Sequence, residues 1–348
     1  MKQQLIDKYF KAWETKDMSL MNEVLTPNNF GIRTFLKNVY YTKDSLQKEL
    51  SNSLISKYKM NEVNTKMNTA IVSATIQTDI DTDVLIKFTF IDGTIRKVYE
   101  VPNDPKINRI RCHVTYDGSR FNGFQKQPNG NTIQGTIEKA LNSLTKDEIT
   151  IHASGRTDKG VHAVDQVFHF DTRSTMKPIG FYQLLNKYLP NAIRIKSCEE
   201  VDLTFHSRFD VKTKEYMYLF NLEKDDIFHQ NYEWNPNKFD LDIFNSQLQS
   251  VIGTHNFASF TKTNPNITYV RTIYKAYAIM ENGKMKLFIK GSGFLRYMVR
   301  NIVAALVLIA SGEANFTIDS LIRDQDNSIL QELAPSGGLY LHEVTYYE

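Results

Sequence analysis

Two prolines bracket the short segment Val101-Pro102-Asn103-Asp104-Pro105, and they constrain this chain more than any other feature. Each removes a backbone donor and fixes φ, so neither a helix nor a central strand can run through the segment. A domain boundary is expected there. The chemistry-bearing residues divide at the same point, because all eight histidines and both cysteines lie after Asp104. At ~150 residues per domain, a length of 348 residues suits two or three domains. The expected division is 1–104, 105–211 and 212–348, the last two forming halves of one larger unit.

Composition excludes several classes. Hydrophobic residues make up 41% and charged residues 23%, ordinary values that rule out a disordered or collagen-like chain. The net charge of +3 splits into 14 Lys and Arg against 13 Asp and Glu over 1–104, and 28 against 26 over the remainder. Any nucleic-acid surface must therefore come from arrangement rather than bulk charge. Cys112 and Cys198 lack CxxC spacing, so neither a metal site nor a disulfide framework is expected, and a reducing cytoplasm is the simplest setting. The opening MKQQLIDKYFKAWETKD is charged throughout, which predicts no signal peptide. Ile302 to Ala310 is the longest apolar run, at nine residues, where a membrane span needs ~20. No membrane segment is expected.

Before the prolines, Leu5, Ile6, Tyr9, Phe10 and Trp13 recur at helical spacing, and Met18, Leu20, Met21, Val24 and Leu25 form a second short helix. A third helix is predicted from about Lys43 to Tyr58, then a strand over Ala70–Ile76. A hairpin follows from Asp83 to Glu100, its turn at Asp92-Gly93. This order resembles the NTF2-like (SnoaL-like) domain, a small α+β cone. The segment has no histidine or cysteine. Trp13, Tyr40 and Tyr41 are candidates to line a pocket, but core packing and an accessory scaffolding or dimerisation role is the preferred reading.

After the prolines, Arg109 to Tyr116 alternates Ile110, Cys112, Val114 and Tyr116 on one face and predicts a half-buried strand. A polar loop, Phe121-Asn122-Gly123-Phe124-Gln125-Lys126-Gln127, precedes a helix capped by Thr132 and carrying Ile133, Ile137, Leu141 and Leu144. From Ile149 a strand is predicted to enter the loop Ser154-Gly155-Arg156-Thr157-Asp158-Lys159-Gly160, and a second strand, Val164 to Asp171, leaves it. Small residues let backbone approach a ligand closely. Asp158 stands between two cations in sequence, which predicts a lowered pKa and an ionised carboxylate suited to nucleophilic work.

Tyr116-Asp117-Gly118, Gly123-Phe124-Gln125-Lys126-Gln127, Thr132-Ile133-Gln134 and Gly155-Arg156-Thr157-Asp158-Lys159-Gly160-Val161-His162-Ala163, in that order, resemble the TruA family of tRNA pseudouridine synthases. Leu189-Pro190-Asn191, Phe205-His206-Ser207-Arg208-Phe209, Lys214-Glu215-Tyr216, Met298-Val299-Arg300-Asn301 and Ala334-Pro335-Ser336-Gly337-Gly338-Leu339 continue the resemblance over residues 108 to 348. Phe124 stands where many members have Trp, a change that conserves stacking, and Lys159 replaces a common Ala. The resemblance implies an α+β fold of two lobes with antiparallel sheets, a continuous surface and a central cleft. It also implies a homodimer acting on tRNA.

The implied reaction isomerises uridine to pseudouridine in the anticodon stem-loop, at tRNA positions 38–40, with no cofactor. Asp158 takes the nucleophile position, attack at the sugar carbon and abstraction of a sugar proton both remaining open. Arg156 and Arg300 complete the catalytic set: Arg156 for extruding the nucleotide or contacting phosphate, Arg300 as the buried partner of Asp158. Tyr216, Phe124, Gln125 and Lys126 are the implied substrate-binding residues. A helix predicted from about Phe294 to Ala310 would put Arg296 and Arg300 on one side. Arg109, Arg111, Arg120, Lys126, Lys139, Arg173, Arg208, Lys212, Lys214 and Arg271 are candidates for a phosphate path, while His162, His169 and His206 are expected to be structural. The competing reading is an RNA-binding protein or RNA chaperone of the same fold without turnover.

Overall fold

The computed structural model describes the chain except residues 28–29, 34–38, 41, 79, 129, 224–226, 237, 264–266, 331 and 348, and the side chains of residues 39 and 40. Contacts divide the chain into two compact units, Met1–Asn108 with Val201–Phe205, and Arg109–Glu200 with His206–Glu348.

In the first unit, helices α1 (Lys2–Thr15) and α2 (Met18–Val24) open the chain. The α1 stripe buries Ile6, Tyr9, Phe10 and Trp13, and the Asp17 carboxylate caps α2 by accepting from the amides of Ser19 and Leu20. Strands β1 (Gly31–Arg33) and β2 (Val39–Tyr40), helix α3 (Lys43–Asn52) and strands β3 (Lys57–Thr65), β4 (Thr69–Gln77), β5 (Thr82–Ile91) and β6 (Thr94–Pro102) follow. They build a six-stranded sheet in the order β2-β1-β6-β5-β4-β3. Asp92 and Gly93 both take positive φ, 48° and 74°, as the type I′ turn of a tight hairpin requires. Tyr9 and Phe10 meet Phe88 of β5 edge-on at 5.3 and 5.8 Å. Truncating an aromatic so placed to alanine costs ~3–5 kcal/mol. Trp13 is a core residue, at 1% exposure; the side chain of Tyr40 and all of Tyr41 lie outside the described residues.

The third helix is shorter than its pattern suggests. It ends at Asn52, with Ser53 already extended, and Tyr58 belongs to β3. Most of that strand is exposed on both faces, so it lacks the alternation by which a strand is recognised in sequence.

The second unit runs β7 (Asn108–Tyr116), α4 (Ile133–Thr145), β8 (His152–Ala153), β9 (His162–Thr172), α5 (Pro178–Tyr188) and β10 (Ile193–Val201). Its second half contains β11 (Val211–Asn221), α6 (Leu241–Gln249), β12 (Gly253–Asn256), β13 (Val270–Glu281), β14 (Lys284–Gly291), α7 (Met298–Ala310), α8 (Ile318–Asp324) and β15 (Leu339–Tyr346). One nine-stranded sheet spans both halves in the order β10-β7-β9-β15-β11-β14-β13-β12, with β8 beside β9. The late strand β15 joins them. It runs antiparallel to β11 but parallel to β9, with Tyr340 opposite His162, so the expected antiparallel arrangement gives way at the junction. One apolar core lies with α4 and α5 and another with α6 and α7. Tyr216 packs against both.

Two predicted elements begin later than expected. Ile149 and Ile151 are buried, but their amides donate to Asn142 Oδ1 (2.8 Å) and Glu138 Oε1 (3.2 Å) of α4 rather than to a strand. Helix α7 starts at Met298, because Tyr297 at its N-cap is left-handed with φ 65°. Arg296 therefore precedes the helix and does not share a helical face with Arg300. Among the described residues, no helix is long and apolar enough to cross a membrane.

Candidate active site

Backbone ties hold the loop between β8 and β9 along its length. Ser154 N–H donates to Val167 O at 2.8 Å and Phe124 N–H to Thr157 O at 3.1 Å. The Tyr116 hydroxyl meets Thr157 Oγ1 at 2.8 Å. Gly123 makes the close approach feasible: its φ is 88°, and a Cβ there would stand 3.0 Å from the Thr157 carbonyl oxygen. Asp158 follows directly, with its side chain 31% exposed.

Arg300, on the first turn of α7, brings Nη1 to 4.0 Å from Asp158 Oδ2 and is itself 14% exposed. Its Nε donates to Ala334 O at 2.6 Å. The adjoining Pro335 carbonyl accepts from the Tyr218 hydroxyl at 2.7 Å, so the segment before β15 braces both α7 and β11. Tyr216 lies two residues before Tyr218 on the same face of β11. Tyr218 is core, at 1% exposure, whereas Tyr216 is half-buried, edge-on to Phe294 at 5.1 Å. Burial pushes the Tyr216 phenol well above its ordinary range, with further contributions from Tyr116 and Asp158.

The Asp158 carboxyl does not follow the sequence expectation. Burial raises its pKa, and the opposing fields of Arg300 and then Arg296 recover only part of that rise. Lys159, its sequence neighbour, is exposed. The guanidiniums that matter electrostatically come from around α7, 138 and 142 residues away in the chain.

A half-buried carboxylate thus faces an arginine, with a tyrosine packed at the seam of two cores. A family model described as tRNA pseudouridine synthase matches residues 113–210 and 248–347. The chain belongs to the tRNA pseudouridine synthase family. It is 40% identical over 249 residues to tRNA pseudouridine synthase A of Oceanobacillus iheyensis, an alignment covering 70% of this chain and 98% of that protein. It is 39% identical over 243 residues to the protein of that name from a Geobacillus species, covering 68% and 98%. The N-terminal region is similar in structure to NTF2-like proteins of unknown function. That of Cytophaga hutchinsonii shows 13% identity, a TM-score of 0.27 and coverage of 30% of this chain and 92% of that one. For that of Burkholderia xenovorans the values are 11%, 0.27, 30% and 83%.

Within the synthase unit, the other expected site residues fare unequally. Arg156 is exposed and makes no hydrogen bond or ion pair with a described residue; partial loss of water around its guanidinium and then Arg208 lower its pKa. Phe124 is buried at 2% exposure among the first-half apolar residues, 6.2 Å from Tyr116. Its ring packs in the core of the first half. Gln125 is exposed. Lys126 is exposed too, but its ammonium pairs with Glu138 at 3.1 Å and its amide donates to Gln134 Oε1 at 3.1 Å.

Several of the cations considered for a phosphate path have partners within the protein. Arg109 is 4% exposed and grips Asp171 with two bonds of 2.6 and 2.7 Å, and Arg111 pairs with Glu199 at 2.7 Å. Lys214 points inward and donates to Ser154 O at 2.6 Å. Arg208, Lys212 and Lys139 are exposed. His162 is structural: Nδ1 accepts from Gly118 N–H at 3.1 Å, and Nε2–H donates to Asn231 O at 2.8 Å. Burial lowers its pKa despite Asn231 and Asp117.

Proposed function

We propose that this chain isomerises uridine to pseudouridine in tRNA, with Asp158 as the nucleophile. Breaking the N1–C1′ bond leaves an electron-poor sugar carbon, and a carboxylate is suited to bond to it before C5 replaces N1 there. The proton displaced from C5 balances the one gained at N1, so no external reactant is consumed. The observation that carries the reading is Asp158 at 4.0 Å from Arg300. At that distance the guanidinium steadies the carboxylate without a tight ion pair that would blunt its reactivity. Burial, by raising the Asp158 pKa, makes the carboxylate a stronger base and nucleophile.

Tyr216 offers the target base a ring face or edge beside Asp158. The exposure of Arg156, which has no carboxylate partner among the described residues, supports its assignment as an RNA contact. The target must leave its stack, at a cost of a few kcal/mol that stacking and phosphate contacts offset. We further propose the anticodon stem-loop as target, a homodimer as the acting species and the cytoplasm as the setting. Incubating the purified protein with an unmodified tRNA transcript and mapping pseudouridine tests both reaction and position. Modification within the anticodon stem-loop is expected, and a transcript left wholly unmodified would overturn the reading.

A further inference from the structure

Lys214 lies on β11, two residues before Tyr216 and therefore on the same face. Its Nζ donates to the carbonyl oxygen of Ser154 at 2.6 Å, where the chain leaves β8 for the catalytic loop. A Cβ on Gly155 would stand 2.6 Å from that same nitrogen, so the absence of a side chain at Gly155 is what admits the ammonium. Gln166 of β9 in turn accepts the Ser154 hydroxyl and the Val167 amide at 3.1 Å. Its Nε2 donates to Gly155 O at 3.0 Å. With Phe124 N–H on Thr157 O, three successive anchors fix the carbonyls of Ser154, Gly155 and Thr157. The next residue is Asp158.

We propose that Lys214 is a positioning residue of the catalytic loop: by holding the Ser154 carbonyl it sets where Asp158 stands relative to Tyr216, and it is not a phosphate contact. The inference rests on the synthase reading above. One strand then carries both the residue offered to the base and the residue that seats the nucleophile's loop, so their separation is fixed by strand geometry. A burial cost is accepted for this, since burial and then Arg208 push the Lys214 pKa down to about 8. A lysine serving only to attract phosphate gains nothing from being enclosed.

Lys214→Met keeps the stem and removes the donor; Gly155→Ala keeps the charge and displaces the ammonium. Each is assayed for single-turnover rate at saturating tRNA, and for tRNA affinity across a salt series. A misplacement of this kind lowers the rate ~100-fold, and both variants are expected to show it with affinity and salt slope unchanged. A wild-type rate in folded Lys214→Met would overturn the proposal. So would a loss confined to affinity, with the salt slope reduced by about one, the signature of a phosphate contact. If melting shows that Lys214→Met does not fold, Gly155→Ala decides: a normal rate there overturns the proposal. Failure of the wild-type protein itself to form pseudouridine would instead refute the synthase reading.

Discussion

Arg300 stands 4.0 Å from Asp158 while its Nε is held at 2.6 Å by the Ala334 carbonyl. The backbone bond orients the guanidinium, so its field on Asp158 does not depend on the two side chains closing on each other. Arg300 is also the larger of the two influences that hold the Asp158 pKa down against burial. Replacing Arg300 by Met should therefore raise that pKa further. Because the ionised carboxylate is the active form, the acid limb of the single-turnover pH–rate profile moves to higher pH, and the plateau rate falls ~10- to 100-fold. An unshifted limb would remove Arg300 from the site.

Asp158→Asn should abolish isomerisation, by at least ~1,000-fold as for other nucleophiles, while tRNA affinity changes little. Its effect on stability has a definite sign. The folded pKa is raised above that of the unfolded chain, so the folded state prefers the protonated form. The group's contribution is most favourable at low pH and declines as pH rises through the unfolded and then the folded value. Removing the charge at neutral pH thus relieves a cost, and thermal melting at pH 7 should show a midpoint equal to or above wild type. A marked fall would mean that Asp158 is a structural ion-pair member.

Arg109 illustrates the opposite case. Its guanidinium is 4% exposed and bonded twice to Asp171, which is 43% exposed. Arg109→Ala leaves that carboxylate without its charged donor, a loss of about 1.5–3 kcal/mol that urea denaturation would register. The salt dependence of tRNA binding should keep its slope. A slope reduced by about one, with unchanged stability, would return Arg109 to the phosphate path.

These cases show where the sequence was legible. Local signals carried the helix of Ile6, Tyr9, Phe10 and Trp13, the Asp92-Gly93 turn and the Thr132 cap, because periodicity, positive φ and capping are properties of neighbouring residues. The ordered motifs around Asp158 and Arg300 were legible through the family they resemble, a family that the matched residues 113–210 and 248–347 show. Strand β3 was not, since its exposed faces carry no alternation. The sign of the Asp158 pKa shift escaped because burial is set by distant segments, whereas Lys159, adjacent in sequence, faces outward. Lys214 and Arg109 read as surface cations for a related reason. Their partners are a backbone carbonyl at Ser154 and a carboxylate 62 residues away, and neither pairing leaves a local pattern.

The synthase unit should fold and act without the N-terminal unit. The Oceanobacillus relative aligns over 98% of its own length to 70% of this chain, so a protein of that family is essentially complete without a counterpart of residues 1–104. Every contact described for Asp158, Arg300, Tyr216 and Lys214 is made by residues after Asn108. The first unit has its own apolar core, built on Tyr9, Phe10, Trp13 and Phe88, as an independently folding segment requires. Residues 105–348 expressed alone are therefore expected to melt cooperatively and to match the full chain in single-turnover rate on saturating tRNA within ~3-fold, since the anchors that set the catalytic geometry are retained. A truncated protein that melts cooperatively but forms no pseudouridine would show that the N-terminal unit supplies part of the site.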